Sequence, residues 1–509
     1  MKLEDIFNAM DHINKRVISC NAIIEINDIT LNSKEAGKHF AFTAIKGFKT
    51  DGHKFITDAY ENGCRNFIIS DPALVDEAII KSSTIISVDD TRLALALISN
   101  ILYEKPFDRL KMIGITGTKG KTTVSTLLHR FLSEKFKTSK FSTVSNTVCG
   151  KTTDSERTTM EASCLQKRLK LSADYGETHS VVEVSSHAVT LKRVEGIEWD
   201  AGIFTSFSRD HLDLYGTIEK YFDAKLDFFK ALNKSKKKNR LAVINIDDPK
   251  GNEVVDTIGR SVKVIKVGLG QNADFIIAKN NNHGNNGLEF SVAYIGRRYD
   301  IRTKMRGEFN ITNISLAFVT AMESGVDPGT MIKILEDFSG VEGRFEIVIN
   351  NPFTVIIDYA HTPDSLEKIL HEARAITNDK LTCVFGCTGD RDKDKRSIMG
   401  SIAALNADFT VITDDDTYTE DPAIIAAAVE QGFKDEGKKK GEDYEIIHDR
   451  YSAVKEAMHR SSPGNVVLIA GMGHEKHQII GSVAVPYNDK ESVLKIAEEM
   501  SIITRDGNK

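Results

Sequence analysis

Short apolar runs of strand length alternate with helical spacing through most of the chain. In residues 1–105 the runs "HFAFTAI" (39–45), "NFIIS" (66–70) and "STIISV" (83–88) precede the helical stretch "TRLALALISNILYE". That order predicts a small α/β unit. "EKPFDRLK" (104–111) reads as a linker, and "KMIGIT" as a buried strand that runs into a glycine-rich loop. Val124, Leu127, Leu128, Phe131 and Leu132 then recur at i, i+3, i+4, i+7 and i+8, the stripe of an amphipathic helix. "HSVVEVSS" and "DAGIFTSF" add buried strands, and "KNNNHGNNG" (279–287) reads as a hairpin loop. Past "VEGRFEIV" (341–348), "FTVIIDYAHTPDSLEKIL" is strand, loop and a helix opened by Thr362 and Pro363. "LTCVFGCTGDRDKDKR", "DFTVITDDDTYTED" and "NVVLIAGMGHEK" repeat that scheme. The prediction is an α/β protein of three domains. They are a small α/β domain (1–105), a central phosphate-loop domain with a parallel sheet (106–342), and a Rossmann-like, doubly wound domain (343–509).

Composition narrows the classes. The 509 residues suit roughly three domains of about 150 residues. A net charge of −6 gives no global attraction to nucleic acid. The basic runs at 234–240 and 438–441 read as solvated loops. Six scattered cysteines show no zinc spacing and suggest buried free thiols in a reducing compartment. No apolar run reaches the ~18 residues of a membrane span. The N-terminus lacks a signal-peptide core. A cytoplasmic monomer, inserted in no membrane, is expected.

The chemistry starts at "GITGTKGKTT" (114–123). The standard phosphate-loop template places a glycine where Ile115 stands; here the glycines are spaced by three. Strand, loop, Lys-Thr-Thr and helix are nevertheless in the required order. Gly117 and Gly120 let backbone N–H groups approach an anion at a helix N-terminus. Lys121 would reach the β- and γ-phosphates of a nucleoside triphosphate, and Thr122 would ligate Mg²⁺. Glu183 ends an apolar run as a strand-end carboxylate would, although a structural salt bridge fits it equally. His211 alone fits a core histidine. Lys225, among Tyr221, Phe222, Ala224, Phe228 and Phe229, alone fits a snorkelling surface lysine.

"TGTKGKTT", "EVSSH", "SRDHLD", "YFDAKLDF", "GEFNITN", "GRFE", "DYAHTPDSL", "GDRDKDKR" and "AGMGHE" occur in the order found in the Mur ligases, and the chain resembles that family. These are ATP-dependent amide-forming enzymes of peptidoglycan precursor synthesis. The likeness is greatest to the members that add the third stem-peptide residue. It implies an ATP loop of Gly117, Thr118, Lys119, Gly120, Lys121, Thr122 and Thr123, with Lys119 a variant on its rim. Asn310 would contact adenine, and Arg344 and Asp358 would close on the nucleotide. Lys121, Glu183, His211 and Lys225 would be catalytic. Thr122 and Glu183 would hold one Mg²⁺ and His211 a second, with Lys225 carrying CO₂ as a carbamate. Leu31, Ser33, Phe48, Lys49 and Thr50 would hold the uridine diphosphate end of a UDP-N-acetylmuramoyl-dipeptide. Thr158, Thr159, Ser185 and Arg193 would hold its muramoyl-dipeptide.

A free diamino acid is the second substrate the resemblance implies. Arg391 would pair with its α-carboxylate, and Gly471 and Glu475 would face its amino end. Family members that add diaminopimelate usually carry Asp-Asn-Pro-Arg where this chain has Asp415, Asp416, Thr417 and Tyr418. An acidic pocket without that arginine should refuse a second carboxylate and take an ammonium. L-Lysine is therefore expected, with ornithine or diaminopimelate as alternatives. A folylpolyglutamate-synthetase-like ligase and a non-catalytic nucleotide-binding scaffold are the rival readings. The uridine-type first segment opposes the first. The retained Lys121, Glu183, His211, Lys225 and Arg391 oppose the second.

Overall fold

The computed structural model describes residues 3–11, 13–21, 25–48, 50–279, 287–377 and 379–502. Three main sheets succeed one another along the chain. The first has five strands in the order Lys15–Cys20, Thr84–Val88, Asn66–Ile69, Phe40–Thr43, Asp28–Thr30, and only Lys15–Cys20 runs antiparallel. The helix Thr91–Leu102 follows, opened by Asp90, whose carboxylate accepts from the Arg92 and Leu93 N–H groups. Two of these strands, Lys15–Cys20 and Asp28–Thr30, have no clean alternation and escape the sequence reading. Lys49 and residues 280–286 of the expected hairpin loop lie outside the described residues. The strands flanking that loop, Phe275–Lys279 and Leu288–Tyr294, pair antiparallel.

The central sheet has eleven strands. Its middle is parallel, running from Phe275–Lys279 through Lys263–Gly268, Leu241–Asn245, Ala201–Phe204, Lys111–Thr116 and His179–Glu183 to Thr138–Phe141. The expected parallel sheet needs correction at both ends, where antiparallel hairpins extend it. The cause is local. Cys149-Gly150 and Ile295-Gly296 each have positive φ at both residues, and such two-residue turns return a strand antiparallel beside its predecessor. Cys-Gly and Ile-Gly are not usual signals for such a turn. The predicted stripe Val124, Leu127, Leu128, Phe131 and Leu132 is fully buried in the helix Lys121–Leu132. The 104–111 segment is more than a linker, because Phe107 and Leu110 enter the central core.

The third sheet has six strands in the order Glu346–Ile349, Thr354–Asp358, Val466–Ala470, Leu381–Phe385, Phe409–Ile412, Tyr444–Ile446, parallel except for the first. Thr362 precedes the helix Pro363–Ile376 as expected, its N–H donating to Ser365 Oγ at 3.0 Å. Fully buried, Arg450 and Asp489 pair at 2.9 Å and tie the helix Arg450–His459 to Asp489–Glu499.

Two surface expectations change. Within 234–240, Lys237 donates to the Phe107 and Leu110 carbonyls and Arg240 to those of Leu232 and Asn233, so neither is merely solvated. Arg240 thereby takes carbonyls at the end of the helix Ile218–Lys234, and Lys237 those of the segment before Lys111. Cys64, Cys383 and Cys387 are buried free thiols, but Cys20 and Cys164 are exposed and Cys149 is half-buried. Among the described residues no helix is long and apolar enough to cross a membrane.

Candidate active site

The glycine loop joins the strand Lys111–Thr116 to the helix Lys121–Leu132. Gly117 (φ 152°) and Gly120 (φ 85°) are held by close packing as well as by backbone freedom. A Cβ on Gly117 would lie 1.9 Å from Thr205 Oγ1, and one on Gly120 would lie 2.4 Å from Asn313 Oδ1. Thr118 Oγ1 meets Tyr221 Oη at 3.1 Å. Lys121 Nζ donates to the Gly117 and Thr118 carbonyls at 2.8 and 2.9 Å, so the ammonium already lies across the loop. Lys119 is not on the rim. It is half-buried, its Nζ is enclosed without a hydrogen-bond partner among the described residues, and burial together with the charge of Lys368 lowers its pKa to about 8.

Glu183 ends the strand His179–Glu183, next to Lys111–Thr116, and is fully buried. Thr122 Oγ1 donates to its carboxylate at 3.3 Å, Ser125 Oγ at 3.0 Å, Thr143 Oγ1 at 2.8 Å and the Thr143 N–H at 3.2 Å. Two hard oxygen ligands from Thr122 and Glu183 therefore lie side by side. That donor set fits Mg²⁺, which binds through one or two protein oxygens and completes its shell with water and phosphate. Among the described residues, no three His, Cys, Asp or Glu side chains are grouped to hold a metal alone. Thr143 was not legible beforehand, because its loop carries no motif.

Lys225 is only 1 % exposed, on the helix Ile218–Lys234, with Nζ 4.4 Å from the Tyr221 ring centre. Burial first, then the charge of Lys121, holds its pKa well below the usual lysine value. The snorkelling alternative is excluded. His211 has φ 53° and lies 3.5 Å from Asp210, its ring 4.5 Å from that of His187. Burial lowers the His211 pKa to about 3 against the pull of Asp210, which favours the neutral ring that a metal ligand requires.

A cleft of about 600 Å³ opens between the central and third sheets. Thr158, Thr159, Ser185, Arg193 and His211 line one wall, and Arg391, Asp415, Asp416, Tyr418, Gly471 and Glu475 the other. Thr159 Oγ1 donates to the Glu183 carbonyl at 2.7 Å and meets Ser185 Oγ at 3.2 Å. Arg193 donates to the Thr159 carbonyl at 3.1 Å and pairs with Glu161 at 2.8 Å. Across the cleft, Arg391 is more than half exposed and 4.0 Å from Asp213. Tyr359 donates to Glu475 at 3.0 Å. Burial and the neighbouring Asp415 and Asp416 push the Glu475 carboxyl up to about 8. Thr417 is buried behind this surface.

Other predicted residues lie apart. Leu31 and Phe48 are exposed on the first-sheet side, whereas Ser33 is buried and its carbonyl accepts from Asn62. The Thr50 carbonyl accepts from the Gly47 N–H in that same loop. Thr123 is buried beneath the glycine loop. Asn310 is buried, its amide donating to the Arg306 carbonyl at 2.7 Å and accepting from Asn313 at 3.0 Å. Arg344 stacks 4.5 Å over Tyr359, with its Nε enclosed and without a hydrogen-bond partner among the described residues. Asp358 accepts from the Phe345 N–H at 2.8 Å, and burial, opposed by Arg344, raises its pKa to about 6.

Family models match the chain at residues 25–114 (Mur ligase family, catalytic domain), 115–321 (Mur ligase middle domain) and 343–473 (Mur ligase, glutamate ligase domain). A UDP-N-acetylmuramoyl-L-alanyl-D-glutamate–2,6-diaminopimelate ligase of Clostridium tetani is 36% identical over 98% of this chain and 100% of its own length. The one of Clostridium botulinum is 37% identical over 94% of this chain and 96% of its own. Among solved structures, one ligase of that name is 28% identical, with a TM-score of 0.63 over 94% of this chain and 95% of its own. The MurF ligase of Thermotoga maritima in complex with ADP, 20% identical, shares the fold with a TM-score of 0.62 over 93% of this chain and 97% of its own. The chain belongs to the Mur ligase family, and it is an ATP-dependent ligase that forms amide bonds.

Proposed function

We propose that this ligase adds a diamino acid, L-lysine, as the third residue of UDP-N-acetylmuramoyl-L-alanyl-D-glutamate. The relatives' names support a ligase acting at the third position. The amino acid is argued from one observation. Where an arginine would grip a distal carboxylate, Tyr418 stands beside Asp415, Asp416 and Glu475 on the cleft wall. Burial and Asp415 raise the Asp416 pKa, which is what crowded carboxylates do before a cation arrives. An ammonium relieves that repulsion, whereas a second carboxylate adds to it.

In this reading the first domain (1–105) holds the uridine end, the central one (106–342) ATP, and the third (343–509) the amino acid. The dipeptide's carboxylate, lying along Thr158, Thr159, Ser185 and Arg193, attacks the γ-phosphorus of ATP and ADP leaves. The amine of the incoming amino acid, held through its α-carboxylate by Arg391, attacks the resulting acyl phosphate. Loss of phosphate and a proton leaves the amide. Lys121 neutralises charge on the transferring phosphoryl group. Magnesium at Thr122 and Glu183, and at His211, would supply further positive charge there. Lys225, disfavoured as an ammonium, is suited to carry CO₂ as a carbamate and so present a carboxylate-like group beside them.

ATP-dependent phosphate release with the UDP-dipeptide and lysine, ornithine or diaminopimelate tests the proposal. Lysine should have the highest kcat/KM; faster turnover of diaminopimelate would reject it. Tyr418→Arg should shift the preference toward diaminopimelate.

A further inference from the structure

Behind the acidic loop lies a small hairpin with no assigned role. Its strands His477–Ile480 and Val483–Pro486 pair antiparallel around Gly481, whose φ is 63°. It forms a two-stranded sheet of its own, and Ile480, Val483 and Val485 are exposed. An isolated hairpin is marginal alone, so its contacts with the body decide where it sits.

Those contacts go to residues 414–418. Gln478, 8 % exposed, donates from Nε2 to the Asp414 carbonyl at 3.3 Å and the Asp415 carbonyl at 3.1 Å. The Ile479 N–H donates to Asp416 Oδ1 at 2.7 Å, and the Ile479 carbonyl accepts from Thr417 at 2.9 Å and Tyr418 at 3.3 Å. Tyr418 has φ 47°, a backbone state disfavoured for a bulky residue and held only by its surroundings. Asp416 also stands against the charge of Asp415, a repulsion that the Ile479 N–H donation offsets, while Asp414 turns to His448 at 2.8 Å. We infer that this hairpin is the template of the amino-acid pocket, with Gln478 a positioning residue that sets its selectivity. The inference rests on the reading that residues 415–418 grip the amino acid.

Full-length wild type, Gln478→Met, Ile480→Gly and Asp416→Ala are compared by phosphate release. ATP and the UDP-dipeptide are saturating while lysine, ornithine or diaminopimelate is varied; ATP is then varied in turn. Gln478→Met keeps the side-chain volume and removes both donations. It should raise the KM for lysine about tenfold and compress the preference among the three amino acids, leaving the KM for ATP within about twofold. An unchanged lysine KM, or an equal rise for ATP, overturns the inference. If Gln478→Met does not fold, the surface variant Ile480→Gly, which loosens the strand, is read instead, with an expected rise of about threefold. Asp416→Ala separates the two layers. If it leaves the lysine KM unchanged, the pocket reading itself falls. If it raises the lysine KM while Gln478→Met does not, only the hairpin's role falls.

Discussion

Lys225 sits 1 % exposed against Tyr221, and burial is the main reason its pKa is held well below the usual lysine value. A neutral amine can add CO₂; an ammonium cannot. Lys225→Ala should therefore lose on the order of 10²-fold or more in kcat, the size expected for a group that organises charge at phosphoryl transfer. Added short carboxylic acids should restore part of it, and full activity of the variant without them would contradict the carbamate role. Glu475 yields a prediction with a defined sign. Its folded pKa, about 8, lies above its ordinary 4.5. The stability tied to its protonated form is complete below about pH 4.5 and is lost as pH rises through about 8. Glu475→Gln should then unfold at a higher temperature than wild type above pH 8, with the difference vanishing in acid. A thermal melt series across pH checks it.

At the scale of elements, the glycine loop shows how much one turn carries. Its place between strand and helix was legible in the sequence, but the packing that requires each glycine was not. Gly117 faces Thr205 and Gly120 faces Asn313, both distant in sequence. Gly117→Ala combines a left-handed φ with a steric overlap, so it should cost about 1–3 kcal/mol of stability and raise the KM for ATP. Denaturant unfolding and ATP titration measure the two effects separately. The amphipathic stripe from Val124 to Leu132 and the capped start at Thr362 could be read from the sequence because both depend on nearest neighbours in a helix. The edge hairpins at Cys149-Gly150 and Ile295-Gly296 could not, since neither pair advertises its turn.

Across the whole molecule, the two walls of the cleft come from separate sheets. Thr158 and Arg193 lie on the central-sheet wall of the cleft and Arg391 and Glu475 on the other. The third sheet must hold its shape for that wall to exist, and the wholly buried Arg450–Asp489 pair braces it. Asp489→Ala would leave a buried guanidinium without its partner, and about 3–5 kcal/mol of stability should be lost. Chemical denaturation followed by far-ultraviolet circular dichroism reads that loss.

The order of motifs, the helix stripes and the strand–loop–helix order around the glycines are set by residues near one another in sequence, and those the chain specified by itself: an α/β ligase of the Mur family with a glycine loop between strand and helix. Tertiary structure decided the rest. It buried Lys225 and the ammonium of Lys119, surrounded Glu183 with Thr122, Ser125 and Thr143, and laid Gln478 behind the acidic loop. Burial and desolvation depend on what packs against a side chain from elsewhere in the chain, and no local spacing encodes that neighbour.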